Sequence, residues 1–209
     1  MTGNELDNAP STARRGRPRG FDRDKALRQA MEAFWTHGYE GTSMIQLVEA
    51  MGIVSPSIYA AFGSKEALFR EAVDLYVASE SGPAWQALDE IDDVGLAVRS
   101  MLFTSIDTFA ETNPPRGCLV VLGTGYLGSS DETVRAILRD QRRGFRRRLV
   151  ARMTRAVKDG DIGPQSDPAA LAECVQAFFS GLAIEAVDGV SKATLRETAA
   201  LFCKRLFQV

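Results

Sequence analysis

The sequence predicts an all-α protein of about nine helices, and three observations carry that expectation. Apolar residues recur at spacings of three and four almost throughout the 209 residues. Glycine and proline fall mostly where those periodic runs break. Hydrophobic residues make up 45% of the chain, enough to bury the core of one ordinary domain, or of a small module joined to a larger one. No internal repeat is evident.

Residues 1–20 read as a disordered basic arm. After Asp22, a good N-cap, Leu27, Ala30, Met31 and Phe34 form the inner stripe of a first helix that runs to about His37 and stops at Gly38. A short loop, GYEG, follows. Thr42 or Ser43 caps a second helix, with Ser43 and Gln46 at capping-box spacing and Met44, Leu47 and Val48 facing inward until Gly52. The turn Gly52-Ile53-Val54 leads to Ser55-Pro56-Ser57, where proline suits a first helical turn because its missing N–H has no partner there. This third helix ends near Phe62, at Gly63. Ser64 then caps a longer fourth helix with Leu68, Ala72, Leu75 and Tyr76 on one face. Pro83, Asn113-Pro114-Pro115, Gly128, the stretch from Gly160 to Pro164, and Gly189 divide the remainder into about five helices. The expected organisation is an arm over 1–20, a small helical module over 21–66 and a larger helical domain over 67–209.

The formal charge of -2 hides an uneven distribution. Residues 14–28 hold seven Arg or Lys against two Asp, and residues 131–158 hold ten against three acids. No segment approaches the roughly 18 apolar residues of a membrane span, and the N-terminus lacks the apolar core of a leader, so a soluble cytoplasmic protein without a membrane partner is expected. Cys118, Cys174 and Cys203 are odd in number and far apart, and the chain holds a single histidine, which argues against a disulfide framework, a zinc site or any other metal centre. The lone histidine and the lack of a phosphate-cradling glycine loop also leave little for catalysis, so neither an enzyme nor a cofactor is expected.

Two short helices joined by a tight glycine turn and braced by a third form a helix-turn-helix, whose second helix enters the DNA major groove. A recognition helix favours small and hydroxylated residues in its first turn, because bulk would keep it from the base edges. Ser55 and Ser57 are therefore candidates for base contacts, and Pro56 for a thymine methyl. Tyr59 and Lys65 are placed for phosphate contacts, and Thr42 and Ser43 for a phosphate at a helix N-terminus. Taken singly, Ser-Pro-Ser is equally a cap and Tyr59 equally a core aromatic. The arm contributes Arg14, Arg15, Arg17 and Arg19, separated by Gly and Pro; it is either a minor-groove arm or a basic tail that raises non-specific affinity.

The stretch ALRQAMEAFWTHGYEGTSMIQLVEAMGIVSPSIYAAFGSKEALF resembles the N-terminal domain of TetR-type transcriptional repressors. The shared features are the Phe-Trp near the end of helix one, the Gly-Tyr-x-x-Thr-Ser entry, the Ala-x-Gly turn, the Tyr-x-x-Phe of helix three and Ser-Lys-Glu-x-Leu-Phe. The resemblance implies a homodimer that binds a palindromic double-stranded operator and releases it when a small-molecule effector enters the C-terminal domain. It assigns DNA contact to Thr42, Ser43, Ser55, Pro56, Ser57, Tyr59 and Lys65. Ala60 departs from the pattern, standing where many members carry a larger polar residue.

The helix over 168–187 is apolar nearly all round, and with TLRETAALFCKRLF after it resembles the pair that forms the TetR dimer interface, Gly181 permitting close approach. Trp85, Met101, Phe103, Phe109, Cys118, Tyr126, Phe178 and Phe179 are candidates to line the effector pocket, or are plain core. Glu185 either meets a polar ligand group or reaches the dimer edge, and His37 reads as a structural helix-end residue. Cys118 follows NPPRG, near a helix start and Arg116, which favours a thiolate and an electrophile or redox sensor; its apolar context CLVVL favours a packed thiol. The arginine-rich helix within 131–158 is either a solvated face, a seat for an anionic effector or a contact for an acidic region of the dimer. A helical interaction protein without DNA binding is the alternative from another class.

Overall fold

The computed structural model describes residues 20–123 and 132–207. Arg14, Arg15, Arg17, Arg19 and Tyr126 lie outside the described residues. Ten helices occur among those described: α1 Arg23–Gly41, α2 Met44–Met51, α3 Ser55–Phe62, α4 Lys65–Ser79, α5 Gly82–Glu90, α6 Val94–Phe109, α7 Leu119–Leu122, α8 Glu132–Asp159, α9 Pro168–Val187 and α10 Lys192–Phe207. The architecture is all-α as expected. The helix beyond the expected nine is α7, whose four residues are too few to show a periodic pattern.

The local signals do their work where the sequence places them. Asp22 accepts the backbone N–H groups of Asp24 and Lys25 at 3.0 Å each, closing the start of α1. Gly38, at φ 69°, breaks the helical path, and one further turn carries the chain to Gly41. Ser43 and Gln46 form the reciprocal capping box, at 3.2 and 2.7 Å. Gly52 ends α2 in the left-handed conformation, at φ 64° and ψ 24°.

An aromatic block joins α1 to α4. The Phe34 ring lies 5.0 Å from Phe69, Tyr39 lies 5.1 Å from Phe69, and Trp35 lies 4.9 Å from Tyr76, all edge-on. Because Phe69 and Ala72 complete the α1 core while Asp74 accepts a 2.9 Å bond from Gln141 of α8, α4 serves both parts of the molecule. Arg23 braces the module from outside: it pairs with Glu71 of α4 at 2.8 Å and stacks 4.3 Å from the centre of the Phe62 ring of α3.

The larger domain is built on α5, α6, α8, α9 and α10. Its centre is a second aromatic group: Trp85 stacks on Phe145 at 4.4 Å, and Phe179 meets Phe109 edge-on at 5.4 Å. Helix α9 is long and apolar enough to span a membrane, and one side of it packs against α6, α8 and α10.

The arginine run of α8 is partly a fastening device. Arg148 donates to Trp85 O at 3.1 Å, Arg152 to Leu88 O at 3.1 Å and Ile91 O at 3.0 Å, and Arg155 to Asp89 O at 2.9 Å. At these spacings the three guanidiniums share one face and reach carbonyls along α5 and at its C-cap; those of Leu88 and Asp89 are among the four that the helix itself leaves unpaired. Arg152 is buried in doing so, at 3% exposure. A purely solvated face is therefore the wrong description of this part of α8.

Candidate DNA-binding surface and the joint behind it

Helices α2 and α3 cross at 89°, the angle of a helix-turn-helix. Ile58 and Phe62 anchor α3 to the core, which leaves Pro56, Tyr59 and Ala60 exposed and Ser55 and Ser57 half-buried at its edge. Nothing in the α1–α4 core requires Tyr59, which is 47% exposed. Ser43 is exposed beside this face even though its hydroxyl serves the capping box. Two residues not singled out from sequence join the surface: Ile45 and Val54, exposed at 72% and 62%. Ile45 lies off the inward stripe of Met44, Leu47 and Val48, a signal that its spacing carried, whereas Val54 belongs to the turn, where periodicity says nothing.

Two assigned contacts take different roles. Thr42 is fully buried, and its hydroxyl donates toward Gly38 O at 2.7 Å and Ala33 O at 3.3 Å, so the side chain closes the α1–α2 corner from inside and cannot reach a phosphate. Lys65 donates to Tyr39 O at 2.8 Å with its ammonium 4.1 Å from the centre of the Tyr39 ring. Burial draws its pKa down, opposed by Glu40 and Glu66. The Tyr39 hydroxyl in turn donates to Glu66 at 2.9 Å, so α1 and the start of α4 are clasped around one aromatic.

Behind this module, α1 is joined to the segment before α8 at several points. The Trp35 indole N–H donates to Gly117 O at 3.0 Å, Tyr39 N–H to Gly123 O at 2.9 Å, and Arg116 pairs with Glu32 while covering the Trp35 ring at 3.8 Å. Gly117 sits at φ 63°, and an added Cβ would lie 2.6 Å from Ala183 O of α9, so only glycine lets the chain pass here. Between α1 and residues 112–123 lies a cleft of about 460 Å³, lined in part by Trp35, His37, Pro114, Arg116, Leu122 and Val187.

The candidate effector residues do not converge. Trp85, Met101, Phe109 and Cys118 are fully enclosed, and Phe179 completes the packed centre with Trp85 and Phe109. Phe103 lies between the guanidiniums of Arg99 and Arg196, 5.1 Å from each. Phe178 stacks on Phe202 at 4.0 Å, on the α9–α10 side. Of the two readings of Cys118, burial agrees with the packed thiol: the residue has no exposed surface, burial pushes its thiol up, and Arg116 is committed to Trp35 and Glu32. The four-residue α7 that Cys118 precedes offers little dipole to oppose that burial.

A three-helix module whose third helix turns a face outward, joined to a larger helical domain, defines a DNA-binding regulator. The family description "Bacterial regulatory proteins, tetR family" matches residues 26–72, and "Tetracyclin repressor-like, C-terminal domain" matches 97–200. The chain is 33% identical to the HTH-type transcriptional repressor ComR of Escherichia coli K12, over 88% of this chain and 89% of that one. It is 30% identical to the repressor BdcR of the same organism, over 89% of each. Among solved structures, the regulator CifR, as a cysteine mutant complexed with 26-bp operator DNA, is 39% identical over 92% of this chain and 99% of its own, with a TM-score of 0.82. The chain belongs to the TetR family of transcriptional regulators.

Proposed function

We propose that the protein is a repressor that binds a palindromic operator as a homodimer and leaves it when a small molecule occupies the domain beyond α4. The observation that carries this reading is α3 itself: Ile58 and Phe62 fix one face to the core, and the opposite face presents Pro56, Tyr59 and Ala60 outward. Ser43, Ser55, Pro56, Ser57 and Tyr59 make the DNA contacts, with the exposed Val54 and Ile45 added as apolar neighbours for thymine methyls or sugars. Lys65 serves mainly to set the start of α4 against α1 through Tyr39. The names of the relatives support the assignment, since ComR and BdcR are called repressors and CifR is seen with operator DNA. Such a protein works in the cytoplasm, on the chromosome.

The homodimer forms through α9 and α10. Gly181 offers open space to an added Cβ, and the stacked Phe178–Phe202 pair lies near Leu201, which is 56% exposed. Pairing this surface across a two-fold axis covers it and sets two recognition helices at the spacing of two half-sites.

Arg14, Arg15, Arg17 and Arg19 extend the contact into the minor groove beside each half-site. Gel shift against the DNA upstream of the protein's own coding sequence tests the whole reading. A discrete complex that survives competitor DNA is expected. Binding of every sequence alike overturns it. In the same assay, replacing A·T by G·C pairs beside the half-sites weakens the full chain and leaves a chain lacking residues 1–20 indifferent; equal losses for both identify the arm as a non-specific tail.

A further inference from the structure

We propose that the cleft between α1 and residues 112–123 is a ligand site for a small monocarboxylate with an apolar body, and that its occupancy is what releases DNA; the second half of this rests on the effector-released reading above. The cleft measures about 460 Å³, inside the roughly 300–1,000 Å³ range of small-molecule sites. The aromatic centre around Trp85, by contrast, is filled by Phe145 and Phe179.

The cleft's lining specifies the ligand class. Leu119, Leu122, Pro114 and Val187 supply apolar walls, and among the described lining residues Arg116 is the one cationic side chain of permanent charge. The Arg116 side chain is only 14% exposed, and its Nε is buried without a hydrogen-bond partner. A guanidinium carries five N–H donors, and Glu32 meets it through Nη1 alone. A buried donor left unpaired is costly, so an anion that reaches this guanidinium gains more than it would from an exposed arginine. A planar carboxylate matches that fork, and the walls accept a short chain or a ring.

The same arginine explains the consequence for DNA. Glu32 belongs to α1, the helix on which α2 and α3 are built, and the Arg116–Glu32 pair is one tie between α1 and the larger domain. A ligand carboxylate competes with Glu32 for one guanidinium, and two carboxylates around one cation repel each other. Occupancy therefore loosens the tie. The indole of Trp35, bonded to Gly117 O and lying under Arg116, sits where the change occurs.

The chain contains two tryptophans, so the ¹⁵N-labelled full-length protein shows two indole N–H signals, assigned through Trp85→Phe. Titration with phenylacetate or octanoate should shift the Trp35 signal and leave that of Trp85 in place. Neutral phenylacetamide should bind about tenfold more weakly, the effect of losing a charge-assisted hydrogen bond. Glu32→Gln, which removes the competitor, should tighten phenylacetate binding about tenfold by the same reasoning. Thr36→Phe, at an exposed position on the cleft rim that folding tolerates, should block it. Equal binding of acid and amide, or an unmoved Trp35 signal up to about 10 mM ligand, overturns the site. Saturating phenylacetate should lower operator affinity about 5- to 150-fold, and operator should lower phenylacetate affinity by the same factor. Carboxylate binding with unchanged operator affinity overturns the link to release. If no operator is bound even without ligand, the repressor reading fails, while the indole titration still decides the cleft.

Discussion

The guanidinium of Arg116 lies 3.8 Å from the centre of the Trp35 ring, and the indole N–H of that ring donates to the carbonyl of the next residue, Gly117, at 3.0 Å. One tryptophan of the DNA-binding module is thus held on its face and at its edge by consecutive residues of the larger domain. Trp35→Phe keeps an aromatic ring, though a smaller one, and deletes the donor, leaving Gly117 O buried and unpaired. The expected loss is about 1–3 kcal/mol of stability, read from urea unfolding. Gly117→Ala should be more damaging still, because the added Cβ meets Ala183 O at 2.6 Å and φ is 63°. An alanine protein as stable as the parent would mean that this contact with α9 is not tight.

Surface and core residues of the recognition module should separate cleanly. Alanine at Ser55, Ser57 or Tyr59 is expected to leave the melting temperature nearly unchanged and to cost about 1–3 kcal/mol of operator binding where a base contact is lost. Thr42→Val should behave in the opposite way. It strips the bonds to Gly38 O and Ala33 O from a fully buried corner, so it should lower stability by about 1–3 kcal/mol. Thr42→Ser, which keeps the hydroxyl, should recover most of that loss.

Charge placed on the α9–α10 surface should divide the dimer. Leu201→Glu and Gly181→Glu both add an anion to the proposed two-fold contact, each four residues from an exposed acid of its own helix, Glu197 and Glu185, so the charges add, and both positions are open enough for the single chain to fold. Sedimentation should then show a monomer with operator affinity sharply reduced, since two half-site contacts no longer act together. A dimer that persists with both changes places the interface elsewhere.

The three cysteines should label in a fixed order. Cys174 is exposed, whereas Cys118 and Cys203 are buried. Burial raises both buried thiols, Cys203 to about 11, with nearby Arg99 pulling slightly the other way. A raised thiol pKa means less thiolate at a given pH, so at pH 8 only about one Cys203 in a thousand is ionised even before access is considered. Peptide mapping after brief maleimide treatment should find Cys174 modified first. Raising the pH toward 10 should increase the Cys203 rate roughly tenfold per unit. Labelling of Cys118 ahead of Cys174 at neutral pH would restore the case for a reactive sensor.

The all-α class and the helix-turn-helix were legible in the residues alone. These depend on contacts close in the chain: Asp22 on Asp24 and Lys25, Ser43 on Gln46, glycine at the left-handed end of α2, proline in the first turn of α3. The fold then puts Ile58 and Phe62 on the buried side of α3, which leaves Pro56, Tyr59 and Ala60 outward. Tertiary structure alone decided matters that join distant residues. Thr42 reads as an exposed cap until Ala33, nine residues earlier, is folded over it. Arg152 reads as one more solvated charge until the carbonyls of Leu88 and Ile91, some 60 residues away, take up its guanidinium. Cys118 reads either as a thiolate beside Arg116 or as a packed thiol until that arginine turns to Trp35 and Glu32. In each case a polar group takes its role from whichever unpaired partner the fold brings within about 3 Å, and nothing in the order of residues encodes that distance.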